Sequence, residues 1–198
     1  MRPLLLLDPG PLPASAAVAY SADFAAALPP ATGSSGIALI LPATAVLAAR
    51  PHFAQAARTV TPAVRVESSI AAAVALDAGA GLLVAAAPLV VPGAPLLSEL
   101  HANGGSAEIA AAVRSTFGEP LLLHLPRPLD PAARAAIAGV VRAAGGRGLL
   151  YATDAVSAEE AIADGSADGA AIDVRGLPPE TAAAVVISFD RAVRRRSA

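Results

Sequence analysis

The chain has 198 residues, of which 55% are hydrophobic, 15% charged and 3% aromatic, and its mean hydropathy is +0.60. All 14 basic residues are Arg, and the absence of Lys and Cys excludes a Schiff-base lysine, a P-loop, a disulfide, a thiolate nucleophile and a zinc–thiolate site. The formal net charge of −2 offers no general attraction to nucleic acid, and the high apolar content argues against disorder.

Short apolar runs of strand length recur along the chain. Most are apolar at consecutive positions, a pattern typical of strands that are covered on both faces, as in a parallel sheet. We expect strands at residues 3–7, 37–41, 63–67, 82–86, 121–125, 148–152 and 170–174.

The segments between these runs are Ala-rich and predict helices. Pro51 is expected to kink or split the second helix, a Ser is expected to cap the third, and Asp130 to cap the fifth, with Pro131 at its first position. We expect helices at residues 15–28, 44–58, 69–78, 106–117, 131–144, 157–163 and 178–196.

The β–α order, repeated about seven times, predicts an α/β protein with parallel strands, in a single domain over residues 1–198. A small or incomplete (β/α) barrel is the favoured architecture, with an open doubly wound parallel sheet as the alternative. Residues 89–91 are the candidate for an eighth short strand. A weak repeat of one βαβ unit, in which Gly81 and Gly169 occupy equivalent positions, also favours the barrel.

Neither a membrane span nor a signal peptide is expected. The longest apolar stretch, residues 81–97, contains Pro88, Pro92 and Pro95, which would break a spanning helix. The apolar run near the start ends at Asp8, which is too early for a signal-peptide core. We therefore expect a cytoplasmic protein that does not bind a membrane.

Two segments carry a resemblance to a known family. Residues 64–84, VRVESSIAAAVALDAGAGLLV, and residues 148–174, GLLYATDAVSAEEAIADGSADGAAIDV, resemble a middle and a late βαβ unit of the flavin-dependent nitronate monooxygenases and related enoyl-reductase barrels. The resemblance covers about 50 residues and implies a barrel, FMN as cofactor and an oxidoreductase activity. Such units also occur beside polyketide synthases, which implies a place in biosynthesis.

The sequence departs from this family at two functional places. Residues 85–88 read Ala-Ala-Ala-Pro where the family has glycines and often a His that serves the flavin chemistry. Residues 152–154 read Ala-Thr-Asp where the family has a Gly-Gly turn near the flavin phosphate, and Asp154 would repel a phosphate. A degenerate, cofactor-free relative is therefore an equal alternative to a flavin enzyme.

Polar residues at the carboxyl ends of the expected strands are the candidate site, because ligands of α/β folds bind there. An acid–base site could be formed by His124 with Asp8 or Glu67, and Asp154 lies at the same end of its strand. Arg127 or Arg175 would bind an anionic substrate, and Asp173 lies beside Arg175.

Each candidate also has a purely structural interpretation. Asp8 precedes Pro-Gly and is suited to form a turn, while His124 lies between two leucines and is suited to the core. Glu67 could pair with Arg65 or cap the next helix, and Asp154 could cap the helix that follows it. Asp173 and Arg175 could form a surface pair.

A zinc site is not expected, because His52, His101 and His124 form no HxH or HExxH pattern. A divalent ion held by Asp8, Glu67 and Asp154 stays open as an alternative.

Two further function classes are consistent with the sequence. The segments LLLLDPGPL and LILPATAVLA resemble the first two strands of PIN-type nucleases, although residues 44–48 lack the expected acid. The low charge content favours a non-catalytic assembly domain instead, since it implies an apolar surface. In that case a homo-oligomer partner or a larger protein would cover the last helix, through Val185, Val186, Ile187, Phe189 and Val193.

Overall fold

The structure, a computed structural model, describes residues 3–30, 35–86, 88–103, 105–116, 118–126 and 129–197. Within these residues the apolar runs form eight parallel strands. The strands are β1 (Leu4–Asp8), β2 (Gly36–Ile40), β3 (Val60–Val66), β4 (Leu82–Ala86), β5 (Leu96–His101), β6 (Leu121–His124), β7 (Leu149–Ala152) and β8 (Gly169–Asp173).

The sheet is a closed barrel in the order β1 to β8. Leu4 of β1 is in register with Gly36 of β2 on one side and with Gly169 of β8 on the other, so the first strand joins the last. The expected parallel barrel is confirmed, and with eight strands it is complete. The open doubly wound alternative is wrong, because β1 pairs with β8 and the sheet therefore has no free edge.

Helices follow every strand except β4. Their ends agree with the expected ones to within a few residues; residue 117, the expected end of the fourth, lies outside the described residues. The helices are α1 (Ala14–Ala27), α2 (Ala43–Gln55), α3 (Ser69–Asp77), α4 (Ser106–Ser115), α5 (Pro131–Ala143), α6 (Ala155–Ala163) and α7 (Pro179–Ser197).

One local expectation about helices needs correction. Helix α2 runs through Pro51 without a break. Pro51 and Leu47 both lie on the exposed face of α2, where water can satisfy the carbonyl that proline leaves without a donor. The expected Ser cap of α3 is confirmed: the hydroxyl of Ser68 accepts the N–H of Ala71. As expected, the carboxylate of Asp130 caps α5 by accepting the N–H of Ala133.

The eighth strand is not at residues 89–91. The described residues 88–95 contain neither helix nor strand, and Pro88, Pro92 and Pro95 explain this because none has an N–H to donate. Instead β5 begins directly after Pro95. Leu89 and Val91 pack against the outer core and cover the barrel where a helix would otherwise lie.

The consecutive apolar positions of the strands serve two separate cores. One set of side chains points out to the helices, and the alternate set fills the barrel. The inner set contains small and medium residues, which is how eight strands close around it. Its buried members are Leu6, Ala38, Ile40, Ala63, Val84, Leu97, Leu122, Leu150 and Ala171.

The two glycines of the internal repeat share a structural position. Gly169 begins β8, where a Cβ atom would collide with the backbone oxygen of Leu4. Gly81 immediately precedes β4, where a Cβ atom would come within 2.8 Å of the Thr61 methyl group. Both positions lie at the amino end of a strand that is packed too closely for a side chain.

Helix α7 packs on its own barrel. Val186, Phe189 and Val193 are buried in the outer core, and Ile187 is 37% exposed. Most of the apolar side chains that were expected to meet a partner are therefore covered by this chain. In the described part of the chain, every helix is too short or too polar to span a bilayer.

Candidate functional site

The alternation of the strands gathers polar side chains at the carboxyl end of the barrel. In a strand, a residue two positions after an inward-facing one points the same way. The inward-facing residues within the barrel are apolar. At the carboxyl ends of five strands, the last inward-facing positions carry charged or ionisable side chains instead. These residues are Asp8, Arg65, Glu99 with His101 two positions beyond, His124 and Asp173.

These side chains line a cavity of about 1100 Å³. The polar members of its lining are Asp8, Arg65, Glu99, His101, His124, Thr153, Asp154, Asp173 and Arg175.

Four of the polar residues form a continuous hydrogen-bonded chain across the mouth. Nη2 of Arg65 donates to Oδ2 of Asp8 at 2.7 Å, and Nη1 donates to both oxygens of Glu99 at 2.6 and 2.7 Å. Oε1 of Glu99 lies 2.6 Å from Nε2 of His124. Glu99 is the least exposed of the four, with 12% of its side chain accessible, so its charge depends most on these partners.

Glu99 is held ionised by its neighbours. Burial alone would raise the pKa of the Glu99 carboxyl, but the hydrogen bonds from His124 and Arg65 outweigh it and lower the pKa to about 2. An ionised carboxylate has no proton to donate. The 2.6 Å contact therefore places a proton on Nε2 of His124, and in the neutral ring Nδ1 is the basic nitrogen.

His101 completes the cluster beside His124. The two imidazole rings stack with centroids 4.1 Å apart and an angle of 17° between their planes. One ligand atom from each of Glu99, His101 and His124 lies within 4.8 Å of the others, a spacing that could hold a metal ion. The guanidinium of Arg65 already contacts both Glu99 oxygens, and its positive charge opposes a second cation there.

Of the predicted acid–base residues, the structure brings Asp8 and His124 into the network and leaves Glu67 outside it. The predicted pairing of His124 with Asp8 or Glu67 is replaced by a contact with Glu99. The Arg65–Glu67 pair is also wrong: Arg65 is inward-facing and bonds to Asp8 and Glu99, whereas Glu67 is exposed in the bend after β3. Glu67 does not cap α3 either, since Ser68 does so.

Asp8 forms the predicted turn and also joins the network at the mouth. One oxygen of its carboxylate accepts the N–H of Gly10 at 2.8 Å and holds the turn, while the other accepts from Arg65.

Asp154 lines the same cavity, but its carboxylate is committed to α6. Its Oδ1 accepts the N–H groups of Val156 and Ser157 at 2.9 and 3.0 Å, and its Oδ2 accepts the hydroxyl of Ser157 at 2.8 Å. The bonds from Ser157 and Val156 outweigh burial and lower the pKa of the Asp154 carboxyl. A divalent ion shared by Asp8, Glu67 and Asp154 has no support, because Glu67 does not line the cavity.

The predicted substrate-binding pair, Asp173 and Arg175, lies at the rim. The Arg175 guanidinium donates to the Asp173 carboxylate through Nε at 2.8 and 2.9 Å, and through Nη2. This hydrogen bonding lowers the pKa of Asp173. Both side chains are more than half exposed. Arg127, the other predicted anion-binding residue, lies outside the described residues.

Sequence reasoning missed Glu99 and His101 and gave Arg65 no part in the site. The segment LLSELH was not recognised as a strand because three of its six residues are polar. The available signal was the alternation within it: Leu97, Glu99 and His101 are two residues apart and share one face.

The residues at the late βαβ unit do not fit a flavin phosphate. The resemblance places that phosphate at the turn containing residues 152–154, next to the amino end of α6. The N–H groups there are bound by the Asp154 carboxylate, whose charge would repel a phosphate. No chemical step is therefore assigned to a flavin.

No protein-family model matches the sequence, and neither does any curated protein. The structure is similar to the crystal structure of triosephosphate isomerase from Bartonella henselae, with a TM-score of 0.68 and 10% sequence identity over 94% of this chain and 100% of that one. At this identity the likeness shows the fold and not the function. The chain therefore has the TIM-barrel fold, with its candidate site at the carboxyl end of the strands, where barrel enzymes carry their active sites.

Proposed function

We propose that the protein is a small-molecule enzyme that transfers protons at the barrel mouth, with His124 as the general base. The observation that carries this proposal is the 2.6 Å contact between His124 and the ionised Glu99, inside a cavity of about 1100 Å³. A histidine oriented by a carboxylate in a cleft is a recurring arrangement for proton transfer.

The proton balance follows from the contacts of His124. Nδ1 takes a proton from the substrate, and the ring becomes an imidazolium with protons on both nitrogens. Glu99 stabilises that cation through the hydrogen bond to Nε2. The proton then returns from Nδ1 to the same substrate atom or to a neighbouring one, which restores the neutral ring.

Arg65 supplies the electrostatic part of the proposal. An arginine has five N–H donors, and the contacts with Glu99 and Asp8 leave donors free for a substrate oxygen. When a C–H bond beside a carbonyl loses its proton, the electron pair moves to the carbonyl oxygen. A donor held near that oxygen lowers the barrier. Isomerisation or exchange at such a carbon is the reaction class this favours.

Deuterium exchange tests the proposal without knowledge of the natural substrate. Purified protein is incubated in deuterium oxide with a panel of small ketones and aldehydes, and loss of the proton beside the carbonyl is followed by NMR. We expect exchange with at least one compound, and a fall of about 100-fold or more in its rate in His124→Ala. His52→Ala, on α2 and outside the cavity, is the matched control and should keep the wild-type rate.

A second measurement needs no substrate. Nitrogen-detected NMR should show that the His124 ring carries its proton on Nε2. The His124 signals are assigned as those that disappear in His124→Ala. A proton on Nδ1, exchange that survives in His124→Ala, or a panel with no exchange at all would each contradict the proposal.

The flavin oxidoreductase and the link to polyketide-type biosynthesis rest on the two resembling segments alone. The absorbance spectrum of the purified protein tests the cofactor directly. Visible flavin bands would support the oxidoreductase alternative and would argue against a proton-transfer enzyme without cofactor.

A further inference from the structure

The cavity wall is apolar on the side facing the acid–base residues. In a ring of eight strands, β1 lies opposite β5, and β2 lies opposite β6. Glu99 and His101 are on β5 and His124 is on β6, so the loops after β1 and β2 face them across the mouth. The larger apolar residues of this wall and of the neighbouring β3–α3 segment include Leu12, Ile40, Leu41, Pro42, Val66 and Val74.

Apolar surface on this side is left open to solvent. Val74 lines the cavity and is 58% exposed, and Ile70, one turn earlier in α3, is 78% exposed. A ligand with an apolar part would cover Val74, and removing such surface from water is favourable. A wholly polar ligand would gain nothing from this wall.

The charge of the lining disfavours an anionic ligand. The described lining contains four carboxylates (Asp8, Glu99, Asp154 and Asp173) and two guanidiniums, those of Arg65 and Arg175. Arg65 is bonded to Asp8 and Glu99, and Arg175 to Asp173. An incoming phosphate or sulfonate would therefore meet an excess of negative charge, because a carboxylate already balances the charge of each guanidinium.

We propose that this mouth binds an uncharged amphipathic small molecule. Its polar group faces His124 and Arg65, and its apolar part lies on the wall formed by the loops after β1 and β2 and by α3. This inference rests on the proposed function, which places the reacting end of the ligand at His124 and Arg65. It narrows the substrate class from any carbonyl compound to carbonyl compounds with an apolar tail and no anionic group.

A pair of fluorescent probes with one skeleton and different charge tests the proposal. Phenylnaphthylamine is uncharged, and anilinonaphthalene sulfonate is the same molecule with a sulfonate added; both brighten when they leave water. We expect the uncharged probe to bind at least about tenfold more tightly, a difference of about 1.4 kcal/mol. Equal or tighter binding of the sulfonate would overturn the proposal.

Variants locate the bound probe. Val74→Glu places a charge on the apolar wall at a position exposed enough to tolerate it, and should weaken phenylnaphthylamine binding about tenfold or more. Ile187→Glu, on α7 and outside the cavity, is the matched control and should leave the affinity unchanged. Asp173→Asn removes one carboxylate from the rim and should tighten sulfonate binding. If Val74→Glu left the affinity for phenylnaphthylamine unchanged, the proposal that the probe lies on this apolar wall would be wrong.

The two proposals fail in different ways. Probe binding is read through Val74→Glu on the apolar wall, whereas deuterium exchange is read through His124→Ala. Probe binding without exchange would leave the ligand class standing and remove the proton-transfer reaction. Exchange that favours short or anionic carbonyl compounds over those with an apolar tail would remove the ligand class alone.

Discussion

Glu99 couples the stability of the barrel mouth to pH. The pKa of its carboxyl is about 2 in the folded chain, against an ordinary value of 4.5. Because the folded value is the lower one, Glu99 stabilises the fold fully above about pH 4.5, and this contribution is lost as the pH falls towards 2. We expect Glu99→Gln to be less stable than wild type at neutral pH, and the difference to shrink on acidification.

Urea unfolding at several pH values measures this difference in free energy. Glu67→Gln is the matched control, since it removes an exposed carboxylate outside the network. Its difference from wild type should vary less with pH than that of Glu99→Gln. A free-energy difference for Glu99→Gln that stays constant from neutral pH to about pH 3 would show that the network does not hold Glu99 ionised.

Arg65 is the residue on which the charge of Glu99 depends. In Arg65→Gln, burial of Glu99 persists while the paired cation is lost, so the pKa of the Glu99 carboxyl should rise. Carbon-detected NMR titration of the Glu99 side chain measures this rise directly. Arg175→Gln is the control: it removes a guanidinium at the same rim, but one that bonds to Asp173 and not to Glu99. It should leave the pKa of the Glu99 carboxyl unchanged. If the pKa of the Glu99 carboxyl were unchanged in Arg65→Gln, His124 alone would account for its low value.

At the scale of the element, Asp154 is the cap of α6. Asp154→Ala should lower the free energy of unfolding by about 1 kcal/mol, because two N–H groups of the first turn lose their acceptor. Asp154→Asn keeps a capping side chain and should recover most of that loss, as measured by urea unfolding. If Asp154→Asn abolished exchange activity while keeping full stability, the carboxylate would have the catalytic role that the sequence predicted.

The strands were predictable wherever both faces of a strand are apolar. β4 begins and ends where expected, and β1, β2 and β8 differ by one residue at each end, because consecutive leucines, valines and alanines fill both cores. β5 was missed because its inner face changes from Leu97 to Glu99 and His101 within the strand. A search for consecutive apolar residues misses a strand whose inward-facing side chains change from apolar to polar at the site.

The same physical reason limited the prediction of the site. Asp8 and His124 each end a run of leucines, so their positions at strand ends were visible in the sequence. Arg65 lies between Val64 and Val66, and only its inward register separates it from a surface arginine. Pairing partners such as Arg65 and Glu99 are 34 residues apart and lie on β3 and β5, on either side of β4, so their spacing in the sequence does not reveal the contact.

At the scale of the whole molecule, the barrel separates its site from its main buried ion pair. The carboxyl end carries the network around Glu99, while the amino end carries Arg58, Asp190 and Ser35, each 5% exposed or less. Ser35 precedes β2, Arg58 precedes β3, and Asp190 belongs to α7. Arg58 and Ser35 both donate to the Asp190 carboxylate, so the last helix is tied to the entry of two early strands.

Breaking this ion pair should destabilise the entire barrel without altering the mouth. Asp190→Ala leaves the Arg58 guanidinium buried without its counter-charge, which costs about 3 to 5 kcal/mol in comparable buried pairs. The double variant Arg58→Leu/Asp190→Leu removes both charges and should cost much less than the sum of the single changes. Urea unfolding of the four proteins in the cycle measures the coupling, and probe binding at the mouth should be unchanged in each protein that remains folded. Additive losses would show that Arg58 and Asp190 do not act as a pair.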